Sequence, residues 1–218
     1  MLSQLLWKDI QSQKGMLLLG AFFLLAPYLL YLFVGANSQS PEYQLANSAT
    51  LSLVFSQLTI VVMGASIVGA ERQNHGMDFL LALPAPRSQI LLSKTIVSLL
   101  VAAVIWGVFF VVSEFVVVDK LRDNFQFVGL TCGVIGATLF AVAWLGSILW
   151  KSTAVSIAVS LTVTAVVALV QLKFWHFSEW NVYEHGKQFI VVLCSVYAAI
   201  AIGAFAAGWL VFTRRFEP

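Results

Sequence analysis

Six long apolar runs follow one another along the chain, separated by short polar or charged segments. A helix needs about 20 mostly apolar residues to cross the hydrocarbon core of a bilayer, where backbone groups must hydrogen-bond within the segment. The runs therefore predict an all-α, polytopic membrane protein. The predicted transmembrane spans cover residues 16–34, 47–70, 95–118, 125–150, 152–172 and 188–212.

The composition supports the same class, because only 10% of the residues are charged, whereas a soluble domain carries roughly a quarter. A net charge of +2 and the lack of a basic run with interleaved aromatics argue against a nucleic-acid partner. No repeat or linker divides the chain, so residues 1–218 are predicted to form one transmembrane domain in a lipid bilayer.

Residues 1–15 are amphipathic, with apolar side chains at helical spacing among lysines, glutamines and an aspartate. This pattern predicts an interfacial helix that lies in the membrane surface before the first span. A signal peptide is the alternative, but its apolar core would be shorter than residues 16–34. Pro27 lies inside the first span and is expected to bend it.

The lysines and arginines are divided unevenly between the two sides of the predicted membrane. Eight lie on one side: Lys8, Lys14, Arg72, Arg87, Lys94, Lys151, Arg214 and Arg215. Four lie on the other: Lys120, Arg122, Lys173 and Lys187. The more positive side is normally cytoplasmic, so we expect both termini and residues 71–94 in the cytoplasm.

Residues 71–94 form the longest predicted cytoplasmic loop and contain a short apolar stretch, Met77–Leu83. Three apolar side chains share one face of the helix predicted there: Phe79, Leu80 and Leu83. Asp78 suits the helix N-terminus, and Pro84 ends the helix. The apolar face must be buried either among lipid headgroups or in a cleft of a soluble partner, and the residues alone leave both open.

The loop resembles the signature of the ABC-2 type permease family. In that family the second span ends in Glu-Arg, and an acidic residue, a Leu-Leu pair, a proline, an arginine and a lysine follow. The matching residues are Glu71, Arg72, Asp78, Leu80, Leu81, Pro84, Arg87 and Lys94. The family's usual Gly-Thr falls on His75-Gly76, which is the one departure.

The resemblance implies a coupling helix that docks on a separate ATP-binding cassette (ABC) ATPase subunit, which binds ATP and Mg²⁺. The contact residues would be Gly76, Met77, Asp78, Phe79, Leu80, Leu83, Pro84 and Arg87, flanked by the span-end charges Glu71, Arg72 and Lys94. It also implies a second permease chain, with a homodimer expected, in a bacterial-type inner membrane. The implied function is export of an unidentified substrate.

The chain carries no Gly-x-x-x-x-Gly-Lys-[Ser/Thr] phosphate loop, and no Gly-x-Ser-x-Gly or His-Glu-x-x-His motif. We therefore expect no catalytic residue and no cofactor on this chain, with ATP hydrolysis carried out by another subunit. Two alternatives stay open at this point. One is a non-transporting membrane scaffold or assembly protein, and the other is an ATP-independent secondary carrier.

Glu114 is the only acidic residue well inside an apolar run. An intramembrane carboxylate is a candidate proton or substrate site. Alternatively Glu114 reaches water or headgroups, because Asp119 follows after about 7 Å of helix. The shortage of other embedded charges argues against a proton-coupled carrier.

A row of small polar residues recurs at every fourth position of the fifth predicted span: Ser152, Ser156, Ser160 and Thr164. Small residues at this spacing allow helices to approach closely. The row predicts either packing within the monomer or a role in the dimer seam or the pathway lining. The resemblance assigns the seam and the pathway partly to the fifth span.

Aromatic residues crowd residues 173–187, as is typical of the outer membrane interface. No metal site is predicted there, because the spacing of four potential ligands fits no standard motif: His176, Glu179, Glu184 and His185. Cys132 and Cys194 lie in separate apolar runs and are expected to be small buried residues.

Overall fold

The computed structural model describes residues 2–35, 41–73, 87–116, 119–177 and 182–216, which are almost entirely helical and include no β-strand. Six α-helices follow in chain order: α1 Leu2–Leu30, α2 Pro41–Gln73, α3 Arg87–Val116, α4 Asp119–Leu149, α5 Thr153–Phe177 and α6 Val182–Phe216. A π-helical turn, Tyr31–Gly35, directly continues α1.

Each α-helix contains a segment that is long and apolar enough to cross a membrane, with a mean hydropathy between 2.0 and 2.4. These segments are Trp7–Phe33, Asn47–Glu71, Ser88–Phe109, Gly129–Leu149, Thr153–Val170 and Ile190–Arg214. The prediction of an all-α protein with six membrane-spanning helices is therefore confirmed.

Helix α1 runs without interruption from Leu2 to Leu30, so residues 2–15 are the first turns of the first span's helix and not a separate element. Gly15 alone is too weak a helix breaker to divide it, since glycine costs only about 1 kcal/mol relative to alanine. A helix of 29 residues is about 43 Å long and exceeds a hydrocarbon core of roughly 30 Å. Pro27 stays inside α1, and the π-helical turn begins shortly after it.

The chain forms two compact units. Unit 1 comprises Met1–Met63 and Pro84–Cys132, and unit 2 comprises Gly64–Leu83 and Gly133–Pro218. Within unit 1, α1 packs closely against α3. A Cβ at Gly20 would lie 2.7 Å from Cδ1 of Ile105, so a larger residue there would push the end of that side chain aside.

Unit 2 is built around small residues that let its helices approach closely. Its core contains Ala141, Val142, Ala201 and Ala204. A Cβ added at Gly64 would lie 2.6 Å from the carbonyl oxygen of Phe140, and Gly208 lies directly against the ring of Trp144. This packing through glycine and alanine is typical of helices in lipid, where van der Waals contact replaces the hydrophobic effect as the driving force.

The outward faces of α5 and α6 are apolar. Only 17% of the candidate span is buried in each of these helices, against 61% in α4. Their exposed large side chains include Leu161, Leu169, Val191, Val192 and Ile202. Contiguous apolar surface on this scale is unfavourable in water and indicates contact with lipid or with other membrane helices.

Candidate functional site

The predicted coupling loop lies between the end of α2 at Gln73 and the start of α3 at Arg87. The intervening residues 74–86 lie outside the described part of the chain. The proposed contact residues Gly76, Met77, Asp78, Phe79, Leu80, Leu83 and Pro84 therefore stay predictions. Arg87 is the first residue of α3, and its side chain is also outside the described part.

Lys94, predicted as a span-end charge, lies two turns into α3 and forms a buried ion pair with the N-terminal part of α1. Its Nζ lies 3.1 Å from Oδ1 of Asp9, and the two side chains are 9% and 7% exposed. The hydroxyl of Ser93 donates a hydrogen bond of 2.8 Å to Oδ2 of the same carboxylate. Both oxygens of Asp9 are thus bound by α3, and we call these three residues the Asp9 cluster.

Electrostatics oppose breaking the Asp9 cluster. A charge removed from water is costly unless an opposite charge and further hydrogen bonds satisfy it, and removing one partner leaves the other buried and unpaired. Separating Asp9 from Lys94 is therefore costly. The segment next to the predicted coupling loop is in this way attached to the N-terminal turns of the chain.

The sequence itself indicates that Asp9 is buried. The prediction of an interfacial helix at residues 1–15 did not take this into account. Asp9 follows Leu2 and Leu5 at helical spacing, so the carboxylate lies on the apolar face of the segment. A charged residue on a face that must be buried requires a buried partner of opposite charge. The identity of that partner, 85 residues away, comes only from the structure.

The row on the fifth span contacts its neighbours inside unit 2. Ser156 and Ser160 are fully buried, and the hydroxyl of Ser160 donates a hydrogen bond of 2.7 Å to the carbonyl oxygen of Leu139 in α4. A Cβ at Gly146 of α4 would lie 3.0 Å from that of Ser156. These two residues thus make the intramolecular packing of the first alternative, and the seam or pathway role stays a prediction.

The other two members of the row are half-buried. Ser152 precedes α5, and its carbonyl oxygen accepts a hydrogen bond from the hydroxyl of Ser156 at 3.2 Å. The hydroxyl of Thr164 donates to the carbonyl oxygen of Ser160 at 2.9 Å, within α5. Both of these hydrogen bonds join residues four positions apart in the chain, and neither reaches another helix.

Tyr197 and Thr138 complete a polar connection that the sequence did not reveal. The hydroxyl of Thr138 in α4 donates to the carbonyl oxygen of Tyr197 in α6 at 2.8 Å. The Tyr197 hydroxyl in turn donates to the carbonyl oxygen of Thr164 in α5 at 3.1 Å. Hydrogen bonds of this kind between helices replace the water that polar groups lack in lipid.

The remaining candidates occupy helix ends. Glu71 is half-buried near the end of α2, and Arg72 follows it, with its side chain outside the described part. Glu114 lies in the last turn of α3, and its side chain is likewise outside that part, so its role stays a prediction. Cys132 and Cys194 are both free and partly exposed.

The architecture defines a multi-pass helical membrane protein in which a buried ion pair joins the first and third helices. Comparison with protein families then identifies the group to which it belongs. The family model described as ABC-2 family transporter protein matches residues 7–168. The chain belongs to this family, and the resemblance drawn from the loop is confirmed.

Family membership makes the chain a membrane subunit of an ABC transporter and implies association with an ABC ATPase subunit. Subunits of this kind are typically non-catalytic themselves. No curated protein matches the chain at a significant level.

Proposed function

We propose that this protein is the permease subunit of an ABC exporter in a bacterial-type inner membrane, driven by ATP hydrolysis on a separate subunit. The family match carries the proposal, because it covers residues 7–168 and so includes the whole loop at 71–94. The six candidate spans supply a membrane pathway. ATP and Mg²⁺ bind to the partner, since this sequence lacks a phosphate-loop motif.

The coupling helix at residues 77–83 buries its apolar face in a cleft of the ATPase subunit on the cytoplasmic side. Closure of the ATPase on binding ATP moves this helix, and the movement enters the membrane through α2 and α3, which flank the loop. The Asp9 cluster supports a further step, in which α3 carries α1 with it, because Lys94 and Ser93 hold the Asp9 carboxylate.

Two copies of the chain form one pathway in this proposal, and a homodimer is the expected assembly. The outward faces of α5 and α6 are the available surface, since only 17% of each candidate span is buried within the chain. Ser152 and Thr164 remain the members of the row that a seam or pathway would use, because both are only half-buried.

The test is a substitution in the apolar face of the coupling helix. Leu80→Asp or Leu83→Asp should abolish co-purification of the ATPase subunit, because a charged side chain cannot enter an apolar cleft without losing its hydration. The protein itself should still be found in the membrane. Gln89→Asp is the matched control, since it adds the same charge at an exposed position on α3 and should leave the association unchanged.

Unchanged retention of the ATPase by both leucine variants would contradict the proposal. If the leucine variants lose the ATPase subunit but the unmodified complex shows no ATP-dependent transport, the scaffold alternative is indicated. Transport that survives ATP depletion and fails in Glu114→Gln would indicate a secondary carrier.

A further inference from the structure

An open groove lies in unit 1 beside the N-terminal turns of α1, close to the Asp9 cluster in sequence. Its volume is about 250 Å³, and one residue of α3 and five of α1 line it: Ile10, Gln13, Lys14, Leu17, Leu18 and Val101. We call this feature the α1–α3 groove. The mechanism proposed above does not use it.

The position of the groove along the candidate spans indicates that it faces lipid and not water. All five lining residues on α1 fall within the candidate span Trp7–Phe33, and Val101 falls within the candidate span of α3. From Ile10 to Leu18 the groove follows about 12 Å of helix, starting near the N-terminal boundary of the span. Lipid of the adjacent leaflet is therefore the molecule in contact with it, and its aliphatic lining suits an acyl chain.

A positive charge lies beside the apolar groove, directed toward the N-terminus of α1. Lys14 is exposed, and its Nζ lies 6.0 Å from the centre of the Trp7 ring, which is itself 63% exposed. Tryptophan and lysine are the residues that anchor a helix at the headgroup level. A cation beside a groove at this level attracts an anionic headgroup.

Gln13 contributes no accessible polar atom to the groove, because its Oε1 atom is buried. The surface that the groove presents is apolar, so only the acyl part of a lipid fits inside it. The headgroup of such a lipid then lies at the edge of the groove, beside the exposed Lys14.

From these observations we propose that the α1–α3 groove is a binding site for an anionic phospholipid, such as phosphatidylglycerol. The phosphate pairs with Lys14, and an acyl chain lies along Leu17, Leu18 and Val101. A bound lipid then bridges α1 and α3. Free phosphate would contact only Lys14 and leave the apolar lining unoccupied.

The test is native mass spectrometry of the full chain in detergent, titrated with phosphatidylglycerol or phosphatidylcholine of identical acyl chains. We expect phosphatidylglycerol to bind about fivefold more tightly, the factor that one lysine contributes at an anionic membrane surface. Lys14→Gln should remove this preference. Lys8→Gln, an equal charge change at an exposed position outside the groove, should keep it.

The acyl-chain part of the site has its own matched pair. Val101→Trp should fill the groove and weaken binding of phosphatidylglycerol, whereas Val104→Trp, at a 51% exposed position on the same helix, should not. Excess inorganic phosphate should not displace the lipid. Equal binding of the two lipids, an equal effect of the two lysine variants, or displacement by phosphate alone would each overturn the proposal.

Discussion

At the scale of single residues, the Asp9 cluster is the feature that most constrains this protein. Two oppositely charged side chains lie 3.1 Å apart with almost no access to solvent, and a serine satisfies the second carboxylate oxygen. A buried pair is weak evidence for added stability, because apolar residues of similar size often replace it without loss. What it provides is a specific pairing between one position on α1 and one on α3.

We predict that Asp9→Asn lowers the free energy of unfolding by about 3 kcal/mol, because Lys94 is left buried without its counter-charge. The double variant Asp9→Leu with Lys94→Met should recover most of that loss, since no buried charge remains. Thermal unfolding in detergent, followed by tryptophan fluorescence, measures both. The control is Lys8→Ala at an exposed neighbouring position, and an Asp9→Asn midpoint equal to that of the control would disprove the prediction.

At the scale of helices, close approach depends on a few glycines. Gly64 in α2 and Gly208 in α6 both lie against α4, the first against the backbone of Phe140 and the second against the Trp144 ring. Gly107 in α3 has no described atom within 4 Å of the position its Cβ would occupy. These positions look alike in the sequence, since each is a glycine inside an apolar run.

Gly64→Ala is expected to destabilise unit 2 by about 1–3 kcal/mol, because the added methyl group meets a backbone carbonyl that cannot move aside. Gly107→Ala should leave stability unchanged or raise it by up to about 1 kcal/mol, through the better helix propensity of alanine. The thermal midpoints of the two purified variants give the comparison. Similar destabilisation by both would show that helix packing does not distinguish them.

At the scale of the whole molecule, orientation follows from the distribution of lysine and arginine. Eight of the 12 are predicted to lie on the side that carries both termini and the coupling loop. Because translocation of positively charged short loops is disfavoured, this side is expected to remain in the cytoplasm. The proposed function requires that orientation, since ATP and the ATPase subunit are cytoplasmic.

Two glutamines at exposed positions provide a matched test of the orientation, in a background where Cys132 and Cys194 are replaced by serine. A membrane-impermeant maleimide should label Gln188→Cys in intact cells. It should label Gln89→Cys only after the cells are permeabilised. The opposite pattern would place the coupling loop outside the cell and exclude contact with a cytoplasmic ATPase.

Much of the fold could be predicted from the sequence, for a direct physical reason. Backbone groups in lipid must be satisfied internally, and long apolar runs without strict alternation satisfy them as helices, so six such runs predict six helices. The loop at 71–94 likewise identified the family from a short pattern of charges, leucines and prolines, which the match over residues 7–168 confirms.

Pairings between helices were decided by the tertiary structure alone. A span that is apolar on all sides has no amphipathic face to show which side meets a neighbour, so the partners of Ser160 and Thr138 could not be inferred from periodicity. The contact of Asp9 with Lys94 likewise depends on which turns of α1 and α3 meet. Sequence therefore determined the number and length of the helices, whereas packing decided which polar side chains join them.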